Sequence, residues 1–170
     1  MKRIYMLIFM LAAVLSSVKA QDTASFVKVD DPAPAFSIMS DNGHETLSDE
    51  YKGKVMLVVL FATWCPPCQQ ELAAIEKELW PKYSGNDNFV LLVIGREHSA
   101  AELVKYNEKK GFTFALYPDK DRKIYDTFAA KFIPRTYLID KKGKVAFKTQ
   151  GFNETEFKRL LRSIDNALML

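Results

Sequence analysis

The chain has 170 residues, 48% apolar and 26% charged, and its 24 Lys and Arg against 21 Asp and Glu give a formal charge of +3. Lys2, Arg3 and Lys19 account for that excess, since residues 1–20 hold no acid, and the remainder is electroneutral with no basic run. Such a balance gives no electrostatic reason to expect nucleic acid as a partner, and about 150 residues suffice for one domain with a full core but not comfortably for two.

The first twenty residues have the layout of a targeting segment. "MKR" is a short basic start, "IYMLIFMLAAVL" an apolar run of twelve residues, and "SSVKA" sets Val18 and Ala20 at the small-residue positions of a signal-peptidase site. The run is too short to cross a bilayer, which takes about 20 residues. No cysteine stands at the cleavage point to carry a lipoprotein anchor. Residues 1–20 are therefore expected to be a signal peptide, and the protein to be exported to the periplasm or the outer face of the cytoplasmic membrane. Residues 21–31 are polar and predict a flexible lead-in to a domain over 32–170.

Asn42-Gly43 is a hairpin-type turn and predicts a short strand on either side. Val55–Phe61, "VMLVVLF", is an unbroken apolar and β-branched run that reads as a fully buried central strand. A helix is expected from Pro66-Pro67, with Leu72, Ile75 and Leu79 on its apolar face and Trp80-Pro81 at its end. Asn88–Gly95 reads as a second buried strand. Ser99–Glu102, "SAAE", is a capping box opening a helix that stops at Gly111. "FTFALY" (112–117) predicts a short strand and "DRKIYDTFAAKF" (121–132) a helix. "RTYLID" and "KVAFKT" flank the turn "KKG" as an antiparallel hairpin. A second capping box, Asn153–Glu156, opens a last helix with Phe157, Leu160, Leu161, Ile164 and Leu168 on one face. Alternating strands and helices make this a single α/β domain.

Cys65 and Cys68 are the only cysteines, separated by two residues in "FATWCPPCQQE". A structural disulfide normally joins distant segments and a zinc site needs more than two ligands. Strand, CxxC and helix in that order place Cys65 at a helix N-terminus, where partial positive charge stabilises its thiolate. The thiolate is the species that attacks a disulfide. Cys68, one turn on, is close enough to resolve the adduct by closing an internal disulfide. His44 and His98, the only histidines, stand in no ligand pattern and are expected to be solvated loop residues. A two-thiolate Cu(I) site stays open as an alternative, because soft ligands suit that ion.

"FATWCPPC" after a buried strand, "PAPAF" upstream and "FIPRTYLIDKKGKV" downstream resemble the thioredoxin superfamily, and more narrowly the exported TlpA-like (ResA-type) thiol–disulfide oxidoreductases. The resemblance covers nearly all of residues 32–169. It implies a thioredoxin-like fold: a central mixed β-sheet flanked by helices, an N-terminal β-hairpin, and an inserted helix before a cis-Pro loop. It also implies that Pro134 is cis and faces the cysteines, that Ile133 and Pro134 form the substrate groove, and that Trp64 belongs to the recognition surface. A peptide substrate would then pair with the Ile133 backbone as an added strand.

This chain departs from thioredoxins where they carry an acid in the buried strand, six residues before the first cysteine; here that position is Val59. Glu71 matches the acid of "CxxCxxE" members. It is either a desolvated carboxyl with a raised pKa that exchanges a proton with Cys68, or a solvated acid that helps the helix start. Pro66 and Pro67 have no amide hydrogen to give the Cys65 sulfur. That leaves the thiolate less stabilised and favours a reductant.

The leading reading is thus an enzyme that exchanges the Cys65–Cys68 dithiol or disulfide with protein substrates in the cell envelope, leaning to disulfide reduction. The resemblance suggests apocytochrome c thiols as one substrate class and a membrane electron donor. No cofactor and no metal are expected, because the cysteine pair is itself the redox centre. A thiol peroxidase of the peroxiredoxin type is a second reading, prompted by "PAPAF". It lacks support at the nucleophile, where a Pro-x-x-x-Thr-x-x-Cys pattern is needed and Thr63 stands only two residues before Cys65. A Cu(I) delivery module is the third.

Overall fold

The computed structural model describes residues 23–39 and 43–170. The expected signal peptide and Asn42 of the hairpin turn lie outside the described residues. Ser37–Met39 (β1) and Glu45–Leu47 (β2) pair antiparallel, giving the expected N-terminal hairpin. The main sheet consists of Val55–Phe61 (β3), Phe89–Arg96 (β4), Leu116–Asp119 (β5), Arg135–Ile139 (β6) and Val145–Gln150 (β7), in the order β5-β4-β3-β6-β7. β3 runs parallel to β4 and antiparallel to β6, so the sheet is mixed.

All seven residues of β3 are buried because both faces of the sheet are covered. Val55, Leu57, Val59 and Phe61 face one core, which receives Leu72, Ile75, Leu103, Leu160 and Ile164 from the helices. Met56, Val58 and Leu60 point the other way, into a core completed by Phe36, Ile38, Tyr125 and Phe128. The two-residue period of a strand thus splits one apolar run between two layers.

Pro66–Ala74 (α1) follows β3, and the helix does not end at Trp80-Pro81 as expected. A π turn over Ile75–Leu79, closed by Trp80 N–H to Ile75 O, shifts the ladder just where Pro81 supplies no donor. The helix then resumes as Trp80–Tyr83 (α2). Ala100–Lys110 (α3) has its capping box at Ser99 and Glu102, and stops at Gly111 with φ 70°.

The next two elements correct the sequence reading. The strand at 112–117 is displaced to Leu116–Asp119, because Phe112 and Phe114 stack at 5.0 Å and pack on the core instead of pairing. Pro118 is tolerated there because β5 is an edge strand. The helix at 121–132 shrinks to the single turn Tyr125–Phe128 (α4), with Arg122 left-handed before it and Ala129 extended after it. Glu154–Met169 (α5) buries Phe157, Leu160 and Ile164, while Leu161 and Leu168 are partly buried. Asn153 caps Glu156 N–H, but the Glu156 carboxylate pairs with Arg159 at 2.7 Å.

Residues 23–31 are packed on the fold, although a flexible lead-in was expected. Ala24, Ser25 and Val27 are buried, Phe26 N–H donates to Phe128 O and Asp30 N–H to Val145 O, each at 2.9 Å.

Candidate active site

β3 delivers the chain to Ala62, and a turn closed by Cys65 N–H to Ala62 O at 3.2 Å sets Cys65 as N-cap of α1. Pro66 and Pro67 occupy the first two helical positions, so the first amide able to reach back is that of Cys68. It donates to Cys65 Sγ at 3.3 Å. Cys65 and Cys68 are joined as a disulfide with their Cα atoms 5.3 Å apart. Cys68 is fully buried, and Cys65 is 4% exposed.

The Ile133–Pro134 peptide bond is cis, as the resemblance implied. The carbonyl oxygen of Ile133 lies 3.9 Å from Cys65 Sγ. A disulfide sulfur has no hydrogen, so this is a contact in the oxidised form and a place for a thiol donor after reduction. Pro134 is buried and Ile133 half-buried. Trp64, directly before Cys65, is 60% exposed and has the Arg96 guanidinium 5.9 Å from its ring centroid.

Glu71 is one helical turn beyond Cys68 on the same face of α1. The solvated reading fails here, because Glu71 is only 2% exposed. Its Oε1 accepts from Thr136 Oγ1 at 2.6 Å, and its Oε2 has no hydrogen-bond partner among the described residues. Burial pushes its pKa from 4.5 up to about 7, against the opposing pull of the Thr136 bond. It is therefore a carboxyl that can carry or release a proton close to neutral pH.

Residues 29–148 match the model of the AhpC/TSA family. Thiol–disulfide oxidoreductase ResA of Geobacillus kaustophilus is 31% identical over 140 residues, covering 81% of this chain and 79% of that one. The chain belongs to the AhpC/TSA family, among its ResA-type thiol–disulfide oxidoreductases. ResA of Geobacillus thermodenitrificans is 28% identical over 165 residues, covering 95% of this chain and 94% of the relative. The solution structure of a candidate protein disulfide isomerase from Bacteroides thetaiotaomicron has a TM-score of 0.82 at 30% identity, covering 86% of this chain and 94% of that one.

In this oxidoreductase His98 is not the solvated loop residue that its polar neighbours suggested. It is 6% exposed, and its Nε2 accepts from Thr63 N–H at 3.0 Å, two residues before Cys65. Acceptance at Nε2 requires the neutral ring with its proton on Nδ1, and burial lowers its pKa accordingly. Thr136 as the partner of Glu71 also escaped the sequence reading. It becomes visible only in the β3–β6 pairing, which sets residue 136 opposite Val59. Among the described residues no group of three or more His, Cys, Asp or Glu is placed to hold a metal ion.

Proposed function

We propose that the protein is an exported disulfide reductant of the cell envelope, in which Cys65 attacks and Cys68 resolves. The observation that carries this is the Cys65 sulfur, held at the N-terminus of α1 beside the Ile133 carbonyl. In the reduced protein the Cys65 thiolate attacks one sulfur of a substrate disulfide. A Cys65–substrate S–S bond forms, and the other substrate sulfur leaves as a thiolate that takes up a proton. Glu71 accepts the Cys68 proton, and the Cys68 thiolate attacks Cys65 Sγ. The internal disulfide closes and the second substrate thiolate departs, so two electrons pass from the dithiol to the substrate.

Trp64, Ile133 and Pro134 form the substrate surface in this reading, with the Ile133 backbone as the edge to which an extended peptide adds. The lean to reduction rests on the prolines. Of the first three amides of α1, only that of Cys68 reaches the Cys65 sulfur, so the thiolate receives little hydrogen-bond support. Recharging requires an electron donor, for which a membrane carrier is the natural source outside the cytoplasm. Apocytochrome c thiols are one substrate class that fits.

The reduction potential of the pair, measured against defined thiol and disulfide buffers, tests the direction. A value near or below about −270 mV supports a reductant, and one approaching about −120 mV makes the protein an oxidant. Cys65→Ser abolishes disulfide reduction if the attacking thiol is assigned correctly. Rapid peroxide consumption by the reduced protein would favour the peroxidase reading instead.

A further inference from the structure

Among the described residues, Asp30, Glu97, Arg122 and Phe132 are the non-glycine positions with positive φ. Three are charged side chains in surface turns. Phe132, at φ 71°, is the bulky apolar one, the kind of side chain for which the left-handed region is least favourable. The residue is 52% exposed, so core burial does not explain the conformation.

The backbone is fastened from beneath. The hydroxyl of Tyr125, which is fully buried, donates to Phe132 O at 2.7 Å, and Nε of the buried Arg135 donates to Lys131 O at 3.0 Å. Two core donors thus hold two consecutive carbonyls inward, which turns the Phe132 ring out to solvent. The next residue is Ile133, whose carbonyl touches Cys65 Sγ at 3.9 Å. Exposed aromatics therefore stand on both segments that meet at the sulfur, Trp64 before Cys65 and Phe132 before Ile133. Each carries a cation: Arg96 lies 5.9 Å from the Trp64 centroid and Lys131 Nζ 5.2 Å from that of Phe132. Arg96 is paired with Glu97, whereas Lys131 meets no acid among the described residues.

Backbone strain of this kind persists where the surrounding structure over-determines it, and it clusters at functional sites. We propose that Phe132 is a substrate-contact residue that selects extended protein segments with a bulky apolar side chain beside the cysteine and an acidic flank. This rests on the oxidoreductase reading and names the substrate class for the same site. A peptide paired to Ile133 alternates its side chains, so a neighbour of its cysteine falls against the Phe132 ring. The ring contributes apolar contact, and the Lys131 ammonium beside it favours negative over positive charge nearby.

The test uses the reduced full-length protein and three probes: hydroxyethyl disulfide, a peptide disulfide with Leu beside its cysteine, and the same peptide with Gly there. The wild type is expected to reduce the Leu peptide about tenfold faster in kcat/KM than the Gly peptide, in line with one good apolar ring contact. Phe132→Gly accepts the left-handed backbone without strain. It should bring the Leu-to-Gly ratio in kcat/KM close to one, with the rate on hydroxyethyl disulfide falling less than that on the Leu peptide. Phe132→Tyr should keep the preference. With Asp or Lys flanking the Leu peptide, the Asp version should react faster, by a margin that shrinks as salt is added.

Undiminished Leu preference in Phe132→Gly overturns the proposal. So does an equal fall with hydroxyethyl disulfide and peptides, which would make the residue a support of the loop. An absent or reversed Asp preference overturns the acidic flank. A wild type that reduces none of the probes overturns the oxidoreductase reading itself, and is told apart by its inactivity toward hydroxyethyl disulfide.

Discussion

Thr136 Oγ1 donates to Oε1 of the buried Glu71 at 2.6 Å, and residue 136 stands opposite Val59 in the β3–β6 register. The carboxyl that thioredoxins carry on the strand is thus brought to the same level of the sheet from α1. Burial favours its protonated form, so the folded protein retains a proton that the unfolded chain releases. With the folded pKa at about 7 and the ordinary value at 4.5, stability from this group is complete below 4.5 and is lost as pH rises to about 7. Glu71→Gln should remove that slope and make the oxidised protein more stable at pH 8, by roughly 3 kcal/mol. Urea denaturation at pH 5 and pH 8 checks it. The same variant should flatten the pH dependence of the cysteine titration.

His98 works in the opposite sense. Thr63 N–H needs the neutral ring, and burial depresses the pKa from 6.5, while Glu102 and Glu97 pull it back up. The folded state therefore holds fewer protons than the unfolded one below 6.5, and the bond at Thr63 is lost as pH falls from there through the folded value. His98→Leu should destabilise the protein by about 1 kcal/mol near neutral pH, the worth of one hydrogen bond. It should also speed amide exchange at Thr63 and remove the His98 share of the loss of stability as pH falls below 6.5. Exchange at Thr63 unchanged from wild type would show that the turn is held by other contacts.

The two titrations explain why part of this site was legible in the sequence and part was not. Cys65, Cys68 and Glu71 lie on one helix, where a spacing of three or four residues already fixes a shared face. β3, the Ser99–Glu102 box and the apolar face of α5 are likewise local patterns. His98 is buried by a contact 35 residues away in sequence, and Thr136 reaches Glu71 across 65. No periodicity encodes such pairings. α4 was overread because the pattern of 121–132 is helical, whereas Asp119 anchors only its first turn and Arg122 takes a left-handed backbone. Phe132 looked like one more residue of that helix, and its outward ring follows only from where Tyr125 and Arg135 place their donors.

Asp119 supports that arrangement from the end of β5. Its Oδ1 accepts Ile124 N–H at 3.1 Å and its Oδ2 accepts Tyr125 N–H at 2.8 Å, in a buried setting that raises its pKa. Asp119→Ala leaves the amides of Ile124 and Tyr125, at the start of α4, without this partner, and Tyr125 is the residue that holds Phe132. A loss of about 2 kcal/mol in stability is expected, as for a strong N-cap. Chemical denaturation measures the loss, and the Leu-over-Gly peptide preference should fall with it. A full preference in a destabilised protein would show that Tyr125 keeps its place without the cap.

Gly95 faces Phe61 in the β3–β4 register, at the point where β3 hands the chain to the cysteines. A Cβ there would lie 2.7 Å from Leu103 Cδ2 and 3.1 Å from Cδ1, so β4 and α3 are packed to the limit that a hydrogen side chain allows. The obstructing atoms belong to a leucine and not to the backbone, which lets the clash relax by a rotamer change. Gly95→Ala should therefore fold and lose about 1–3 kcal/mol, the usual range for one added methyl in a full core. Leu103→Ala alone leaves a cavity and should cost about 2–5 kcal/mol. Combined, the two should cost less than their sum, because the new methyl enters the space that Leu103 vacates. A strictly additive double variant would show that Leu103 moves freely and that Gly95 serves some other need of the strand.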